Sequence, residues 1–452
     1  MDAMDRFTCD WVFKTLVVLC DGRVVCGCAD PAGDRPLGDL KRESITSIWN
    51  SARIHAIRKD LNEGFSPFCL PCGLKRMLKP DEPPPQQPII QETLPRLFIE
   101  PTVLCNLACT GSVCSRDSGL ARTRSEPLMD MELFRSLLHE AGPHLTRIDL
   151  FNYGEPFIHP QSIDMIETIK GTFPGVLLYV STNGLMIRDE WIDRIVRSGL
   201  DEMTFSIDGT DQASYEAYRR GGDFQRAFRI MRDVVASRDR LKQETPIVNW
   251  RYILFKWNDS FLRMRTARKM ALDAGIDRLV WEITDHPEEA KSRRYQIGTW
   301  RWNRIRNEIW DVSQLANAID GKRFRAKIRA GTAPIRLNAG QPGSIVVMVE
   351  NTGGALWPRH TRTGRRTVRL GAQLLDESRH LIDLNYSRAF LSNDLRAGDR
   401  ASITIELPPI NIPGRYFLKL DMVCEGVEWF ESVGSETPVR RIEVVSTSEG
   451  TA

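Results

Sequence analysis

Between Arg96 and about Glu282 the chain alternates between two hydrophobic periods. Short apolar or β-branched runs recur at Leu97–Pro101, Arg147–Phe151, Val176–Ser181, Met203–Ile207, Ile247–Leu254 and Arg278–Ile283. Between them lie stretches with helical spacing: Met131–Ala141, Ile163–Thr172, Trp191–Ser198, Phe224–Ala236 and Phe261–Ala274. In the first of these Leu133, Phe134, Leu137 and Leu138 share one face. Strand and helix repeated in this way predict right-handed crossovers and a parallel sheet, open or closing as an incomplete barrel. In either form the chemistry is expected at the carboxyl ends of the strands.

The flanks read differently. Residues 1–78 hold six cysteines, an apolar run Val12–Leu19, a hairpin signal at Asp21-Gly22 and a helical stretch around Ser44–Asn62. Lys79-Pro-Asp-Glu-Pro-Pro-Pro-Gln-Gln-Pro88 cannot continue a helix or pair inside a sheet, so 79–95 reads as an extended, semi-rigid linker. The alternating domain with its trailing helices takes 96–322. Within 286–322, Trp300, Trp302 and Trp310 alternate with Arg301, Arg304 and Arg306 and are expected to pack as a helix rather than to stack on bases. From 325 to 447 short alternating strands, Ser344–Glu350, Thr367–Leu374, Ala401–Leu407, Arg415–Met422 and Val439–Val445, predict an antiparallel β-sandwich.

Composition narrows the class. The 452 residues, 42% hydrophobic and 27% charged, suit a folded protein of about three domains. Lys plus Arg at 62 against Asp plus Glu at 59 gives no support to a nucleic-acid binder. No apolar run approaches the roughly 18 residues of a membrane span, and the start lacks a signal-peptide pattern, so a cytoplasmic location is expected. Ten cysteines stand at 9, 20, 26, 28, 69, 72, 105, 109, 114 and 424. Nine of them crowd the first quarter of the chain, which in a reducing compartment points to metal.

Four clusters end four successive predicted strands and so face one mouth. Cys105-Asn-Leu-Ala-Cys109-Thr-Gly-Ser-Val-Cys114 follows the first. Three thiolates there can hold three irons of a cubane and leave the fourth iron open; an incomplete zinc site or packed thiols are the plainer readings. Asn152-Tyr-Gly-Glu-Pro156 follows the second strand, Ser181-Thr-Asn-Gly184 the third and Ser206-Ile-Asp-Gly209 the fourth. Each is a cheap turn by itself, and their order carries the signal.

In that order the motifs resemble the radical S-adenosylmethionine (radical SAM) enzymes. The resemblance implies an α/β partial (β/α)6 TIM-like barrel and a [4Fe–4S] cluster that binds S-adenosylmethionine through its open iron. It further implies a 5′-deoxyadenosyl radical that takes hydrogen from the substrate. It assigns Cys105, Cys109 and Cys114 to the cluster and Gly154 and Glu155 to the ligand ammonium. Thr182, Asn183, Ser206 and Asp208 fall to the ribose or methionyl end, and Arg219 to the carboxylate. One departure stands out: the family spacing is Cys-x3-Cys-x2-Cys, and Ser112 occupies the expected third position. Either the loop bulges at Gly111 and Cys114 serves, or the cluster is labile or absent.

Cys9 with Trp11, Asp21-Gly22 before Cys26 and Cys28, Leu37-Gly38-Asp39, Ile48-Trp49-Asn50-Ser51 and Cys69-x2-Cys72 resemble the SPASM domain, which holds an auxiliary iron–sulfur cluster. That domain usually follows the barrel; here it precedes it. Cys9, Cys69, Cys72 and one of Cys26 or Cys28 are the implied ligands, with a zinc ribbon as the alternative. Cys20 and Cys424 are expected in the core. The C-terminal stretch, with Glu350-Asn-Thr-Gly-Gly354, Trp357, Tyr386 and Trp429, resembles immunoglobulin-like sandwiches appended to surface-polysaccharide enzymes, which leaves sugar contact open beside core packing.

The expectation is therefore a radical SAM oxidoreductase or epimerase acting on a sugar or glycan precursor or a peptide, with an electron donor such as flavodoxin or ferredoxin. The rival is a non-catalytic zinc or iron–sulfur scaffold that recruits a partner or glycan through its sandwich.

Overall fold

The computed structural model describes residues 6–446 except 28, 143, 306–308, 310–323, 355, 361–366 and 426–427. Cys28, Arg306 and Trp310 thus lie outside the described residues. Two compact units divide at Asn303/Arg304, earlier than the break near 322 expected from the pattern.

The first unit is built on one sheet of nine strands: β1 (Thr15–Val18), β2 (Arg23–Val25), β3 (Gly38–Asp39), β4 (Arg96–Ile99), β5 (Arg147–Asp149), β6 (Leu177–Thr182), β7 (Glu202–Ser206), β8 (Ile247–Leu254) and β9 (Arg278–Ile283). Their spatial order is β9-β8-β7-β6-β5-β4-β1-β2-β3. Strands β4 to β9 run parallel in sequence order. Helices α1 (Ala52–Asn62), α2 (Met131–Ala141), α3 (Ser162–Thr172), α4 (Ile192–Arg197), α5 (Phe224–Arg240) and α6 (Phe261–Asp273) accompany it, the last five each bridging one pair of consecutive parallel strands. Local chemistry fixes several helix starts. Asp130, Asp223 and Ser260 sit in extended backbone and accept N–H bonds from the first turns of α2, α5 and α6.

Strand register sorts the side chains. Leu97, Ile99, Ile148, Leu178, Val180, Met203, Phe205, Val248 and Trp250 alternate onto one buried apolar face. The other face is polar and also buried. Arg96 and Arg147 both pair with Asp149, at 2.7 and 2.5 Å. Arg278 and Asn249 both bond Glu202, and Arg251 bonds Ser206 and lies 3.4 Å from Glu282. A polar face buried in this way must have its charges matched within the sheet, and these pairings do so.

The N-terminal module is not a separate bead. Strand β1 pairs in parallel with β4, Thr15 opposite Arg96 and Val18 opposite Ile99, and the β1–β2 hairpin turns at Gly22 with φ +93°. The proline-rich segment forms no helix or strand, and it is held along the module's helices. Asn62 accepts from Gln87 and donates to it, Arg58 donates to the Ile89 carbonyl, and Trp49 donates to the Thr93 carbonyl. The expected helix over 44–62 is two, Ile45–Trp49 and α1, because Ser51 takes extended backbone and caps the second.

A fully buried ion pair ties these pieces together. Glu100, just past β4, receives Arg124 at 2.8 Å, with both side chains entirely enclosed. The same carboxylate accepts the Cys20 N–H and the Asn152 amide.

The second unit has a three-stranded sheet (Ala326–Ala330, Gly343–Asn351, Arg400–Leu407) and a second, larger sheet whose strands include Ile335–Asn338, Val439–Val445, Gly414–Cys424, Val368–Leu375 and Leu381–Phe390. Val347, Ile403, Leu370, Leu418 and Ile442 from both sheets share one core. Trp357 and Tyr386 are buried in that core, Trp357 edge-on to Phe430, so neither offers a face to a sugar. Trp300 also departs from expectation: it is 62% exposed rather than packed. No helix among the described residues is long and apolar enough to cross a membrane.

Two predictions follow from buried charge. Arg124→Ala leaves Glu100 uncompensated and is expected to lower the unfolding free energy by about 3–5 kcal/mol in denaturant titration. A loss below about 1 kcal/mol would put the pair in the class of exposed bridges. In the second unit, burial pushes the carboxyl of Asp421 up from 3.8 to about 7. The folded chain then holds a proton the unfolded chain has lost, so this unit loses stability as pH rises from about 4 to 7. Asp421→Asn is expected to flatten that slope in unfolding midpoints measured across the range; an unchanged slope would refute the assignment.

Candidate active site and thiol centre

The loop after β4 carries the three thiols, and its shape follows from its bonds. Ala108 N–H donates to the Arg220 carbonyl and Thr110 N–H to the Tyr218 carbonyl, both at 3.0 Å, so the loop is strapped to the segment after β7. Gly111 turns with φ +67°. Ser112 then caps the next turn by accepting the Cys114 N–H at 3.2 Å, and Arg116 N–H returns to the Leu107 carbonyl at 2.9 Å. The extra residues thus form a bend beyond Cys109, with Ser112 in a turn role. Burial pushes the Cys105 thiol up to about 12 and Cys114 to about 11, with each feeling the charges of Cys109 and Arg219. Cys109 is likewise raised by burial, against Arg219, whose Nη1 lies 3.9 Å from its Sγ.

Arg219 itself is gripped by Asp208, Nε to Oδ2 at 2.6 Å. Burial would lower its pKa, but Asp208, Cys109, Tyr218 and Tyr215 outweigh burial and keep it charged. The other oxygen of Asp208 accepts the Ile253 N–H at 2.6 Å. Asp208 is wholly buried with both oxygens engaged, which makes it the anchor of Arg219.

The loop after β5 meets the loop after β6 through Glu155. Its carboxylate accepts Thr182 Oγ1–H at 2.5 Å and Asn183 N–H at 2.8 Å, while its own N–H bonds the Leu104 carbonyl. Burial raises this carboxyl to about 7 despite those bonds. Gly154 is required by contact: a Cβ there would lie 2.0 Å from the Thr102 oxygen and 2.8 Å from the Leu104 oxygen. Asn183 Nδ2 donates to Asn106 inside the cysteine motif. Ser206 accepts from Arg251 at 2.8 Å. The structure therefore joins Cys105, Cys109, Cys114, Gly154, Glu155, Thr182, Asn183, Asp208 and Arg219 through direct or shared contacts, with Ser206 one strand away. Sequence reading missed Glu100, Arg124, Asn106 and Arg251. Only Glu100, an acid closing an apolar strand, carried a signal.

In the N-terminal module, Phe7–Thr8 pairs antiparallel with Arg76–Met77 and brings the two ends of the module together. Cys9, Cys26, Cys69 and Cys72 consequently line one pocket with Trp11, Arg35 and Lys75. Burial and their mutual charges push Cys69 up to about 12 and raise Cys26 and Cys9. None of the nine described cysteines forms a disulfide. Among the described residues no three His, Cys, Asp or Glu side chains close on a single metal ion. Cys20 is a core thiol bonded to the Glu126 carbonyl, and Cys424 is buried in the second unit.

Parallel strands carry three thiols on the first loop and a buried carboxylate on the second, and both loops lie inside a stretch with a family match. Residues 99–245 match the radical SAM superfamily and residues 9–73 match the SPASM iron–sulfur cluster-binding domain, so the chain contains both, with SPASM first. These domains carry a [4Fe–4S] cluster with S-adenosylmethionine and auxiliary iron–sulfur binding, respectively.

The chain is 34% identical over 114 residues to a tungsten-containing aldehyde ferredoxin oxidoreductase cofactor-modifying protein of Pyrococcus furiosus, 25% of this chain and 30% of that one. It is 28% identical over 146 residues to the mycofactocin maturase MftC of Mycobacterium ulcerans, 30% and 36%. Among solved structures it is similar to Streptococcus suis SuiB bound to the precursor peptide SuiA, at 14% identity and TM-score 0.36 over 45% and 42% of the two chains. The matches to the two curated relatives span about a third of those proteins' length.

The Gly154 contact predicts that Gly154→Ala, in cluster-reconstituted protein, weakens S-adenosylmethionine binding at least about tenfold by calorimetry, roughly 1.4 kcal/mol. Unchanged affinity would show that this cradle does not hold the ligand.

Proposed function

We propose that this chain is a radical SAM enzyme that acts on a C–H bond of a polar substrate, either a sugar or glycan precursor or a peptide. On this reading the nine-stranded sheet includes a partial (β/α)6 barrel, and the second unit is an immunoglobulin-like sandwich. The observation that carries the proposal is the convergence of three thiols, a glycine-enforced carboxylate cradle and a buried arginine at the ends of successive parallel strands.

The residues fit the cofactors. Cys105, Cys109 and Cys114 supply three soft ligands and leave one iron open, and the bend at Gly111 supports Cys114 as the third. Cys9, Cys26, Cys69 and Cys72 supply a complete set of four. Thiols held protonated by burial must ionise on binding metal, so loading releases protons. When bound, the reduced cluster and S-adenosylmethionine supply a 5′-deoxyadenosyl radical that takes hydrogen from carbon.

The protein's own part is positioning. Thr182 and the Asn183 N–H aim the Glu155 carboxylate at a ligand ammonium, whose charge favours its ionised form. Asp208 fixes Arg219 beside Cys109, where the guanidinium offsets thiolate charge and can meet a carboxylate. Arg251 orients Ser206 and, with Glu282, offers charged groups to a substrate on the polar face. Trp11 lines the N-terminal pocket and meets Phe98 at a tilt, ring centroids 5.4 Å apart, and Phe98 meets Phe151 edge-on at 5.6 Å. That contact supports an auxiliary cluster that serves the substrate cavity. The SPASM match keeps peptides in view beside sugars. Electrons come from a flavodoxin- or ferredoxin-like donor, and the absence of disulfides among the nine described cysteines suits a reducing compartment.

Anaerobic reconstitution tests the reading. About eight irons per chain and formation of 5′-deoxyadenosine are expected, followed by mass-spectrometric screening of nucleotide sugars and peptides. Bound zinc with no cleavage would favour the scaffold alternative. Cys114→Ala is expected to leave about four irons and abolish cleavage; retained cleavage would show that another group is the third ligand.

A further inference from the structure

We infer that Arg35 and Lys75 form a cationic cradle that raises the reduction potential of an iron–sulfur cluster held by Cys9, Cys26, Cys69 and Cys72. This inference rests on the thiol assignment proposed above.

Both cations line the same pocket as the four thiols. Arg35 Nη1 donates to the Phe68 carbonyl at 2.7 Å, one residue before Cys69, and the guanidinium lies over the Phe68 ring at 5.1 Å. Lys75 Nζ donates to the Leu70 carbonyl at 2.8 Å and the Cys72 carbonyl at 2.9 Å, inside the turn that joins the last two thiols. Backbone carbonyls therefore fix both charges where the thiolates would be. The charge of Arg35 already counters the raised pKa of Cys26 and Cys69.

Two further charged groups stand by. Asp30 also lines the pocket, and its oxygens accept the N–H groups of Asp34 and Arg35. Deeper in the core, Arg58 is fully buried, bonds the Val12 carbonyl, has an Nη2 with no partner, and feels Cys26. A buried guanidinium bonded mainly to carbonyls gains a counter-charge when thiolates form nearby.

The physical consequence is a bias in redox equilibrium. A cluster on four thiolates is anionic, and reduction adds one more negative charge. Fixed cations beside it stabilise the reduced form more than the oxidised one. An auxiliary cluster poised in this way is suited to accept an electron from the substrate side.

The test is an EPR-monitored potentiometric titration in a background where Cys105, Cys109 and Cys114 are replaced by Ala, so that one cluster reports. Iron content and visible absorption establish that the cluster is present. The Arg35→Gln/Lys75→Gln double variant is expected to shift the reduction equilibrium at least about tenfold toward the oxidised form, a midpoint lower by about 59 mV for a one-electron couple. An unchanged midpoint with the cluster present overturns the cradle and leaves the ligand assignment standing. Failure of the background protein itself to take up a cluster overturns both. If only the double variant fails to load, Arg35→Lys beside native Lys75 must keep both the cluster and the midpoint; loss of either would show that positive charge is not what Arg35 contributes.

Discussion

The site depends on the buried contact between Glu100 and Arg124. Glu100 ends the strand from which the cysteine loop departs. Arg124 belongs to the segment that returns from that loop. The same carboxylate holds the Cys20 N–H of the N-terminal module and the amide of Asn152, next to Tyr153 and the Gly154 turn. Four pieces of backbone distant in sequence thus share one charge. Nearby, Arg23 pairs with Asp21, and Asp21 accepts the Ser125 N–H, so the returning segment is also stitched to the first hairpin. A buried ion pair is poor at adding net stability, but it severely punishes any arrangement that separates its members. Here that penalty fixes the cysteine loop relative to the glycine turn.

The second constraint is steric. Gly154 passes so close to the Thr102 and Leu104 carbonyls that no side chain fits. This contact presses the loop after β5 onto the exit from β4. Glu155 is then carried under Thr182 and Asn183, and Asn183 reaches back to Asn106. The cradle is therefore closed by three loops in turn. No single motif of the sequence forms a site, yet four in order do, because parallel strands deliver successive loops to the same end of the sheet.

This explains what the sequence made legible. The parallel strands and their helices were readable because both periods are local; α2 falls at the expected residues. The cysteine, Gly-Glu-Pro and Thr-Asn-Gly motifs were readable because each lies within a few residues. The pairing of Arg219 with Asp208 was not, since it depends on how the chain folds back after β7. Trp300, expected to pack, is exposed, whereas Trp357 packs in the core. Tryptophan is compatible with core and with surface, and only tertiary packing decides between them. Strands Ala326–Ala330, Ile335–Asn338 and Leu381–Phe390 were missed because arginines, exposed apolar residues or short length blur their alternation.

The order of modules has a physical reading too. A SPASM-like module ahead of the sheet is out of place only if modules are pictured as beads. Here it contributes a strand: β1 lies parallel to β4 and occupies the sheet edge that the first strand of the parallel set would otherwise expose. Occupying that edge requires a strand of the right direction and polarity, whichever end of the chain provides it. The 79–95 segment makes the connection possible, because it runs back along the module's helices before entering β4, and parallel neighbours need such a crossover. Placing the module at this edge also sets Trp11, which lines the four-thiol pocket, against Phe98 on the polar face of the sheet.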